Sequence, residues 1–557
     1  MNTTIYSFDI FDTCLVRTCG TPDCILDIVA RRILKEPSLS AINDFILIRK
    51  SGEGRARKQF ITSEKEDITL TDIYSQCDFS SLTDISNSTI MEMEMTVEAE
   101  MLTPVLYIKE EIEHLHSLQQ PIIFISDMYL PEDFIKDLLR KKGFFKEGDK
   151  LFISGHVGKT KSTGNLFLHV QQILKADIRN WYHKGDSRHS DYDIPRSIGI
   201  KAFLVSNEKS YYEKKILEYD TSLSKLDIAK ISSLTRAIRL SFPDTPHYRF
   251  AADFIAPLMT SFVHSIMEDA TNRGLHHLYF IARDACILYN IALQLIHRYP
   301  TLSIHYLYAS RQSLYQPDEN CLPYLQQEGL TRPHSAIIDM VGSRRCQESI
   351  NKLLSQHGYD NVYAYYYEVT PYRIMTSDKY SAMYYQEKLA GCPHYHHASH
   401  PLFEQYFGIT DQLRTIGYRQ ECDNIVPIFE NDLVATDYKR RIFNTNREVC
   451  ILFAMHYVNL YIIEPTKCNN ICFATFSQFC HAPRKEYLSS LHEFISTSSK
   501  TEQEPLLIKR NLFSIIFNKH QYLRWKQGNI VYNSGFLYRP IIALLQWFQQ
   551  YKIRQQI

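Results

Sequence analysis

The feature that most constrains this fold is a series of short apolar segments of strand length, separated by longer segments with helical periodicity. In the first part of the chain these segments lie at 5–8, 122–125, 151–153, 180–182 and 202–205. In the second part they lie at 278–281, 305–308, 336–338 and 362–367. Alternation of strands and helices favours parallel sheets that helices cover on both faces. The predicted fold class is therefore α/β, with two such sheets.

The length of 557 residues exceeds what one hydrophobic core supports, so several domains are expected. The first α/β domain is predicted to be Rossmann-like and to span 1–206, with a helical insertion at about 18–118. A polar connector is expected at 207–245, and a second α/β domain, which begins with an amphipathic helix near 254–270, at 246–436. The remainder, 437–557, is predicted to be mostly helical.

Composition excludes several classes of protein. Lysine plus arginine and aspartate plus glutamate number 62 each, so no overall field attracts nucleic acid, and no nucleic-acid partner is expected. The first residues contain no secretory signal, and the apolar stretches are interrupted by charges before the roughly 18 residues that a membrane span needs. We therefore expect a cytoplasmic protein whose 13 cysteines, none in a CxxC pair, are thiols.

Polar residues follow the predicted strands of the first domain. Asp9 follows the strand at 5–8, Ser126 follows the strand at 122–125, and Lys161 lies in GKTKSTGNLF. Asp186 and Asp191 lie in KGDSRHSD, directly after the strand at 180–182. Because open α/β sheets bind ligands at the carboxyl ends of their strands, these residues are predicted to form one site.

The residue types at this site suit phosphoryl transfer. The carboxylate of Asp9 can attack phosphorus and form an aspartyl-phosphate. Asp9, Asp186 and Asp191 are the candidate ligands of Mg²⁺, which would neutralise charge that develops on the phosphoryl oxygens. Ser126 and Lys161 would bind those oxygens, and the lysine would also reduce repulsion between the nucleophile and an anionic substrate.

These motifs, in this order, resemble those of the haloacid dehalogenase (HAD) superfamily over about the first 205 residues. The resemblance implies a hydrolase with Asp9 as nucleophile and the helical insertion as a cap over the substrate. Phosphatases of the superfamily carry a general acid two positions after the nucleophile, where this chain has Phe11. Asp12, or Asp127 beside Ser126, is the candidate for that role. A dehalogenase is the alternative, although Lys161 and SDMYLP fit a phosphate site better.

The strings FDIFDTCLVR, FISDMYLP and KTKSTGNLF resemble a branch of bacterial proteins encoded with capsule and O-antigen genes. FIARDACIL, YLYASRQSL, IIDMVGSRRCQ and LFEQYFG resemble strings of the carboxyl-terminal domain of that branch and extend the resemblance to about residue 410. It implies a phosphoribosyltransferase-like domain that uses 5-phosphoribosyl pyrophosphate. The chain would then be a bifunctional ribofuranosyltransferase, whose hydrolase domain removes the 5-phosphate after transfer to a glycan.

The candidate donor-binding residues of the second domain are Arg283, Asp284, Arg311 and Asp339, each of which follows a predicted strand. Arginines there would bind phosphate or pyrophosphate, and a carboxylate would hold ribose hydroxyls or magnesium. Salt bridges at strand ends are the alternative role of these arginines. Where the branch has a Gly-Thr pair after the Asp339 string, this chain has the arginine pair at 344–345.

Other functions stay open at this level. One is a single-activity phosphatase whose second half recognises a glycan or a partner, and another is a scaffold made inactive by Phe11. The substrate class expected for either enzyme is a phosphorylated sugar or glycan. A cluster of histidines at 394–400 fits no standard zinc spacing. The segment 509–557 combines cations with aromatics, as a peripheral surface at the inner face of the cytoplasmic membrane would, and a core with solvated cations explains it equally well.

Overall fold

The computed structural model describes residues 4–35, 37–219, 223–369, 379–385, 402–430, 437–492, 495–497, 503–517, 523 and 525–556. The histidine cluster at 394–400 lies outside these residues. The chain forms two compact units, one of Met1–Pro243 with Asn459–Tyr461 and one of Asp244–Val458 with Ile462–Ile557. The fold class is α/β, as predicted, because each unit contains a parallel five-stranded sheet.

Five strands of the first unit match the predicted segments within a few residues, and the sequence did not predict the two short strands at 15–17 and 102–104. In chain order the strands of this unit are β1 (Ile5–Phe8), β2 (Leu15–Arg17), β3 (Leu102–Pro104), β4 (Ile122–Ser126), β5 (Lys150–Ile153), β6 (Trp181–Gly185) and β7 (Lys201–Leu204). The sheet has the order β5-β4-β1-β6-β7 with parallel neighbours. Every residue of β4 is buried, as expected for an inner strand between two helical layers. The strand order reverses direction between β1 and β6, and this is where such sheets bind ligands.

The helical insertion leaves and rejoins the sheet domain through one antiparallel strand pair, β2 and β3. Its helices lie between these two strands, whereas the next helix, which buries Ile108, Ile112 and Leu115, contacts β4 and belongs to the sheet layer. The insertion therefore ends at β3, earlier than the predicted residue 118.

The helices of the first unit are α1 (Pro22–Leu34), α2 (Leu39–Phe60), α3 (Leu70–Tyr74), α4 (Asn87–Met101), α5 (Leu106–Ser117), α6 (Glu132–Lys141), α7 (Ser154–Val157), α8 (Asn165–Leu174), α9 (Ile194–Ser197), α10 (Tyr211–Glu218) and α11 (Lys225–Leu240).

The expected connector at 207–245 is instead structured. Helices α10 and α11 occupy most of it and belong to the first unit. Part of the polar composition of this segment comes from side chains that are paired inside the protein. Lys230 is fully buried, with its Nζ 2.6 Å from Asp27 and 3.2 Å from Asp227. Buried charges of this kind are tolerated only when they are paired, so polarity alone did not indicate exposure.

The second unit contains a second parallel sheet of order β12-β11-β10-β8-β9, which reverses direction between β8 and β10. Two antiparallel pairs, β13–β14 and β15–β16, lie outside it, and the sequence did not predict them or β12. The strands are β8 (His277–Ile281), β9 (Ser303–Leu307), β10 (Ser335–Gly342), β11 (Tyr363–Val369), β12 (Tyr380–Tyr385), β13 (Thr415–Glu421), β14 (Asn424–Phe429), β15 (Ile495–Thr497) and β16 (Gln503–Pro505).

The carboxyl-terminal region is mostly helical, as predicted, and packs into the second unit. Phe250 and Phe254 contact Phe476 and Phe479, with ring centroids 4.9–6.5 Å apart. The helices are α12 (Pro246–Phe250), α13 (Ala256–Asn272), α14 (Cys286–Leu295), α15 (Arg311–Tyr315), α16 (Cys321–Gln327), α17 (Arg345–Gln356), α18 (Asp437–Tyr457), α19 (Pro465–His481), α20 (Lys485–Leu491), α21 (Leu512–Phe517), α22 (Lys526–Tyr532) and α23 (Tyr538–Gln556).

One helix among the described residues, Pro246–Asn272, is long and apolar enough to cross a membrane by length and composition. The sequence predicts no such segment, because charges interrupt its apolar stretches. Of the most apolar 18-residue window of this helix, 94% is buried inside the protein. A helix that is apolar all round is also what the core of a large unit requires. Its burial is therefore typical of a core helix.

Candidate active site

The carboxyl ends of three neighbouring strands hold predicted site residues. Asp9 follows β1, Ser126 is the last residue of β4, and Asp186 follows β6. The parallel pairing of β1 with β4 and with β6 places these three ends at one edge of the sheet. Asp9 and Ser126 are buried, whereas Asp186 is exposed. The edge therefore combines a protected carboxylate with one that is open to solvent.

Lys161 reaches this edge from the loop between α7 and α8, and its ammonium contacts two carboxylates. Its Nζ lies 2.5 Å from Oδ1 of Asp9 and 2.6 Å from Oδ1 of Asp191. The three side chains are at most 6% exposed. A buried ammonium that is shared by two carboxylates offsets part of the cost of taking all three groups out of water.

The carboxylates at this edge carry more negative charge than the single ammonium of Lys161 compensates. Burial raises the pKa of Asp9 to about 8; the charge of Lys161 opposes this shift, and the charges of Asp191 and Asp186 add to it. Burial, together with the nearby charge of Asp12, raises the pKa of Asp186 to about 6. Carboxylates close to one another disfavour ionisation unless a cation compensates them. The negative charge of the described carboxylates therefore favours the binding of a further cation beside Lys161.

Asp9, Asp186 and Asp191 offer ligand atoms within 4.8 Å of one another. Carboxylate oxygens are the ligands that Mg²⁺ prefers, and a divalent cation would supply the charge that the raised pKa values of Asp9 and Asp186 call for. The donor set therefore fits Mg²⁺, the predicted cofactor. Oδ1 of Asp191 also accepts from Lys161 and lies 3.2 Å from Nε2 of His183, so Asp191 supports the cluster from its inner side.

Gly185, the last residue of β6, lets Asp191 approach the strand. A Cβ at this position would lie 2.3 Å from Cγ of Asp191, which is too close for any side chain. Oδ2 of Asp191 accepts a hydrogen bond from the backbone N–H of Ser187 at 3.1 Å. Although burial opposes it, the charge of Lys161 and the hydrogen bond from His183 hold the pKa of Asp191 well below its usual range. The glycine that precedes Asp186 in the sequence is therefore a requirement of the site.

A chain of buried hydrogen bonds leads from the sheet to Asp191, and the sequence reasoning missed it. Nε1 of Trp181 donates to Oγ of Ser7 at 2.7 Å, and this Oγ lies 2.8 Å from Nδ1 of His183. Because the carboxylate of Asp191 can only accept, the hydrogen of the neutral ring lies on Nε2, and Nδ1 accepts from the Ser7 hydroxyl. His183 then donates to Asp191. Burial lowers the pKa of His183, which keeps the ring neutral.

Two carboxylates fix the backbone around Lys161. Oδ1 of Asp127 accepts from the backbone N–H of Lys161 at 2.8 Å. Glu66, in the helical insertion, accepts three hydrogen bonds of 2.5–2.9 Å from the same loop, donated by Thr160, Thr163 and Asn165. Burial opposes the shift, but these bonds lower the pKa of Glu66 to about 2. The insertion thus holds the loop that carries the catalytic lysine candidate, a contact that no sequence pattern indicated.

Phe11, at the position where the resemblance implies a general acid in phosphatases, is buried, and the guanidinium of Arg17 lies 5.1 Å from its ring centroid. Asp12 has a φ of 56° and pairs through Oδ1 with Arg236 at 2.8 Å. Arg236 lies on α11, in the segment that was expected to be a connector. Asp12 is 40% exposed and influences the pKa of Asp186, so it lies at the solvent side of the acidic cluster.

At the second sheet, three of the four predicted donor-binding residues carry charges that act on the thiol of Cys346. Asp284 follows β8, Arg311 begins α15 after β9, and Asp339 lies in β10. Burial raises the pKa of Cys346 to about 12, and the charges of Asp339 and Asp284 add to the shift whereas Arg311 opposes it. These groups therefore converge at the carboxyl edge, where the strand order reverses. The fourth residue, Arg283, lies in the turn after β8 and is exposed.

The arginine pair that replaces the Gly-Thr pair lies at the start of α17. Arg344 has a φ of 65°, in the left-handed region that favours glycine, so the backbone here keeps a conformation typical of glycine. The guanidinium of Arg344 lies over the ring of Tyr380 at 4.3 Å, and that of Arg345 over the ring of Tyr315 at 4.5 Å. Both arginines thus stack on aromatic rings beside the polar cluster.

No family model matches the chain, and no curated protein matches it. Solved structures similar to part of it are HAD-family enzymes at low identity. An L-2-haloacid dehalogenase is 12% identical, with 36% of this chain and 82% of that chain covered and a TM-score of 0.27. A HAD-family enzyme from Bacteroides thetaiotaomicron, in complex with magnesium and inorganic phosphate, is 11% identical, with 38% and 97% covered and a TM-score of 0.27. A magnesium-bound HAD-hydrolase from Bacillus subtilis is 14% identical, with 36% and 87% covered and a TM-score of 0.26.

Proposed function

We propose that the first unit is a Mg²⁺-dependent phosphohydrolase of the HAD type with Asp9 as its nucleophile. The observation that carries this proposal is the buried lysine bridge from Asp9 to Asp191, with Asp186 completing a carboxylate cluster at the strand ends. A nucleophilic carboxylate, a cation and a metal-ligand set are the groups that phosphoryl transfer needs at one place. We propose a phosphorylated sugar or glycan as the substrate.

In the proposed reaction, a carboxylate oxygen of Asp9 bonds to phosphorus while the bond from phosphorus to the leaving alcohol breaks. Lys161 and Ser126 stabilise the phosphoryl oxygens. Mg²⁺, held by Asp9, Asp186 and Asp191, supplies further positive charge when bound. Water then cleaves the aspartyl-phosphate, which releases phosphate and restores Asp9. The same edge of the sheet serves both steps.

The proton for the leaving alcohol has two candidate sources. Asp12 lies at the solvent side of the cluster but is ion-paired with Arg236. Asp127 is adjacent to Ser126, and burial raises its pKa, with Lys161 opposing the shift. A raised pKa favours the protonated form, which can donate. Both carboxyl groups therefore stay candidates for the acid that Phe11 displaces.

The test is Asp9→Asn, assayed for phosphate release from an aryl phosphate with Mg²⁺. The amide is nearly isosteric but cannot act as the anionic nucleophile, so we expect turnover below a tenth of the wild-type rate. Asp193→Asn is the matched control, because Asp193 lies in the segment after β6, is half exposed and pairs with Arg188. Turnover above a tenth of wild type in Asp9→Asn would remove Asp9 as nucleophile.

We further propose that the second unit transfers phosphoribose from 5-phosphoribosyl pyrophosphate to a glycan, and that the first unit removes the 5-phosphate. The convergence of Asp284, Arg311 and Asp339 around Cys346 supports a polar ligand at this edge. Such a chain would act in the cytoplasm, in capsule or O-antigen synthesis. The test is incubation with the donor, Mg²⁺ and acceptor fragments, followed by mass measurement. An unchanged acceptor and no pyrophosphate would favour a single-activity phosphatase with a glycan-binding or partner-binding second unit.

A further inference from the structure

The end of the chain has a charge composition unlike the rest. Residues 509–557, the basic segment, contain eight lysines and arginines and no aspartate or glutamate, although the whole chain has 62 of each sign. A segment of one sign within a neutral protein forms a local electrostatic surface, and it selects partners of the opposite charge.

Helix α23 in this segment carries an exposed apolar stripe. Leu544, Trp547, Phe548 and Tyr551 follow the spacing i, i+3, i+4, i+7, which places them on one face of the helix. These four side chains are 47–55% exposed. The ring of Trp547 lies 5.1 Å from that of Phe548 and 5.5 Å from that of Tyr551. A continuous exposed aromatic stripe is unusual for a helix that faces only water.

A cationic cavity of about 560 Å³ lies in the same part of the second unit. Its lining contains three cations and no acidic residue, and it consists of Lys485, Lys509, Arg510, Tyr532, Asn533 and Gly535. Asn533 fixes this wall, because its Oδ1 accepts from the backbone N–H of Arg510 at 2.8 Å. Phe536, next to the lining Gly535, is 93% exposed. Cationic groups and a protruding aromatic ring therefore occur side by side.

We propose that the basic segment docks on the surface of an anionic phospholipid bilayer, with the α23 stripe in the headgroup region and the cationic cavity on lipid phosphates. Charge complementarity selects this occupant, because cations without acids attract anionic lipids. The exposed rings of the α23 stripe also fit a membrane surface, since tryptophan and tyrosine are the aromatics enriched at membrane interfaces. This docking does not depend on either proposed catalytic activity.

The test is sedimentation of the full chain with vesicles of phosphatidylcholine alone and with vesicles that also contain phosphatidylglycerol. We expect binding to the anionic vesicles only, weaker at high salt because screening reduces the attraction. The double variant Trp547→Ala, Phe548→Ala should bind about ten-fold more weakly, since each ring loses its apolar burial. The double variant Lys509→Gln, Arg510→Gln should bind about 25-fold more weakly, at roughly five-fold per cation.

Matched controls show whether vesicle binding depends on the basic segment or on any exposed ring or cation of the protein. Phe203→Ala removes a ring in the first unit that is 47% exposed, and Lys58→Gln removes an exposed cation there. Both should bind vesicles like the wild type, and all variants should keep the wild-type Tm. Equal binding to neutral vesicles, or no binding to either, would overturn the proposal. So would a change of oligomeric state in the Trp547, Phe548 variant without vesicle binding, because the stripe would then be a protein interface.

Discussion

At the residue scale, the site depends on side chains that never reach the substrate. Ser7 and His183 belong to β1 and β6, and they meet because these strands are paired through the register Ser7 to His183. The imidazole is fully buried and presents one hydrogen to Asp191. His183 is therefore a positioning residue, which orients the carboxylate that Lys161 shares with Asp9.

We predict that His183→Met lowers kcat about 10- to 100-fold with little change in KM, since groups that orient the metal and lysine partners commonly have effects of this size. His183→Gln can keep an N–H toward Asp191, so it should recover part of kcat. The measurement is steady-state phosphate release, together with the Tm of each variant. Equal losses in both variants, parallel to a fall in Tm, would show that the ring only fills space.

At the element scale, the main finding is the set of hydrogen bonds between the insertion and the loop from α7 to α8. The insertion is attached to the sheet domain by β2 and β3, and Glu66 connects it a second time, to Thr160 and its neighbours. This second connection holds the residues on either side of Lys161 in the chain. The insertion therefore restrains the loop that carries Lys161.

We predict a pH-dependent contribution of Glu66 to stability. Its folded pKa of about 2 lies below its usual 4.5, so the ionised form stabilises the fold fully above pH 4.5 and progressively less as the pH falls toward 2. The free energy of unfolding should fall more steeply in this window for the wild type than for Glu66→Gln. Urea titrations across the window measure the difference. Glu64→Gln, an exposed neighbour, is the control and should follow the wild type; identical slopes for all three proteins would contradict the prediction.

At the scale of the whole molecule, each of the two units has its own parallel sheet and its own polar edge. The first edge has a lysine between carboxylates, and the second has carboxylates and an arginine around the half-buried thiol of Cys346. Units with separate cores tolerate substitutions independently. The two proposed activities should therefore be separable by single substitutions.

We predict that Asp9→Asn changes the product of the proposed transfer reaction without stopping it. The acceptor should gain a phosphoribosyl group in this variant and only ribose with the wild type, and one mass spectrum distinguishes the two. Asp339→Asn should leave the acceptor unmodified while phosphate release from an aryl phosphate continues. Unmodified acceptor with Asp9→Asn, and no pyrophosphate, would refute transfer but leave the hydrolase proposal intact.

The sequence by itself determined the two sheets and the candidate residues of the first site. Strand length and apolar character are local properties, so β1, β4, β5, β6 and β7 were predicted within a few residues. The carboxyl ends of parallel strands meet by geometry, which is why Asp9, Ser126 and Asp186 could be assigned to one edge.

Only the tertiary structure decided which distant polar groups pair. The Lys230 to Asp27 pair spans 203 positions, and Arg236 meets Asp12 across 224. A polar side chain has the same appearance in a sequence whether it faces water or a buried partner, so the polar sequence of α10 and α11 predicts a connector. The hydrogen bonds of His183 and Glu66 were hidden for the same reason: each needs a partner that only the packing of separate elements brings within 3.2 Å.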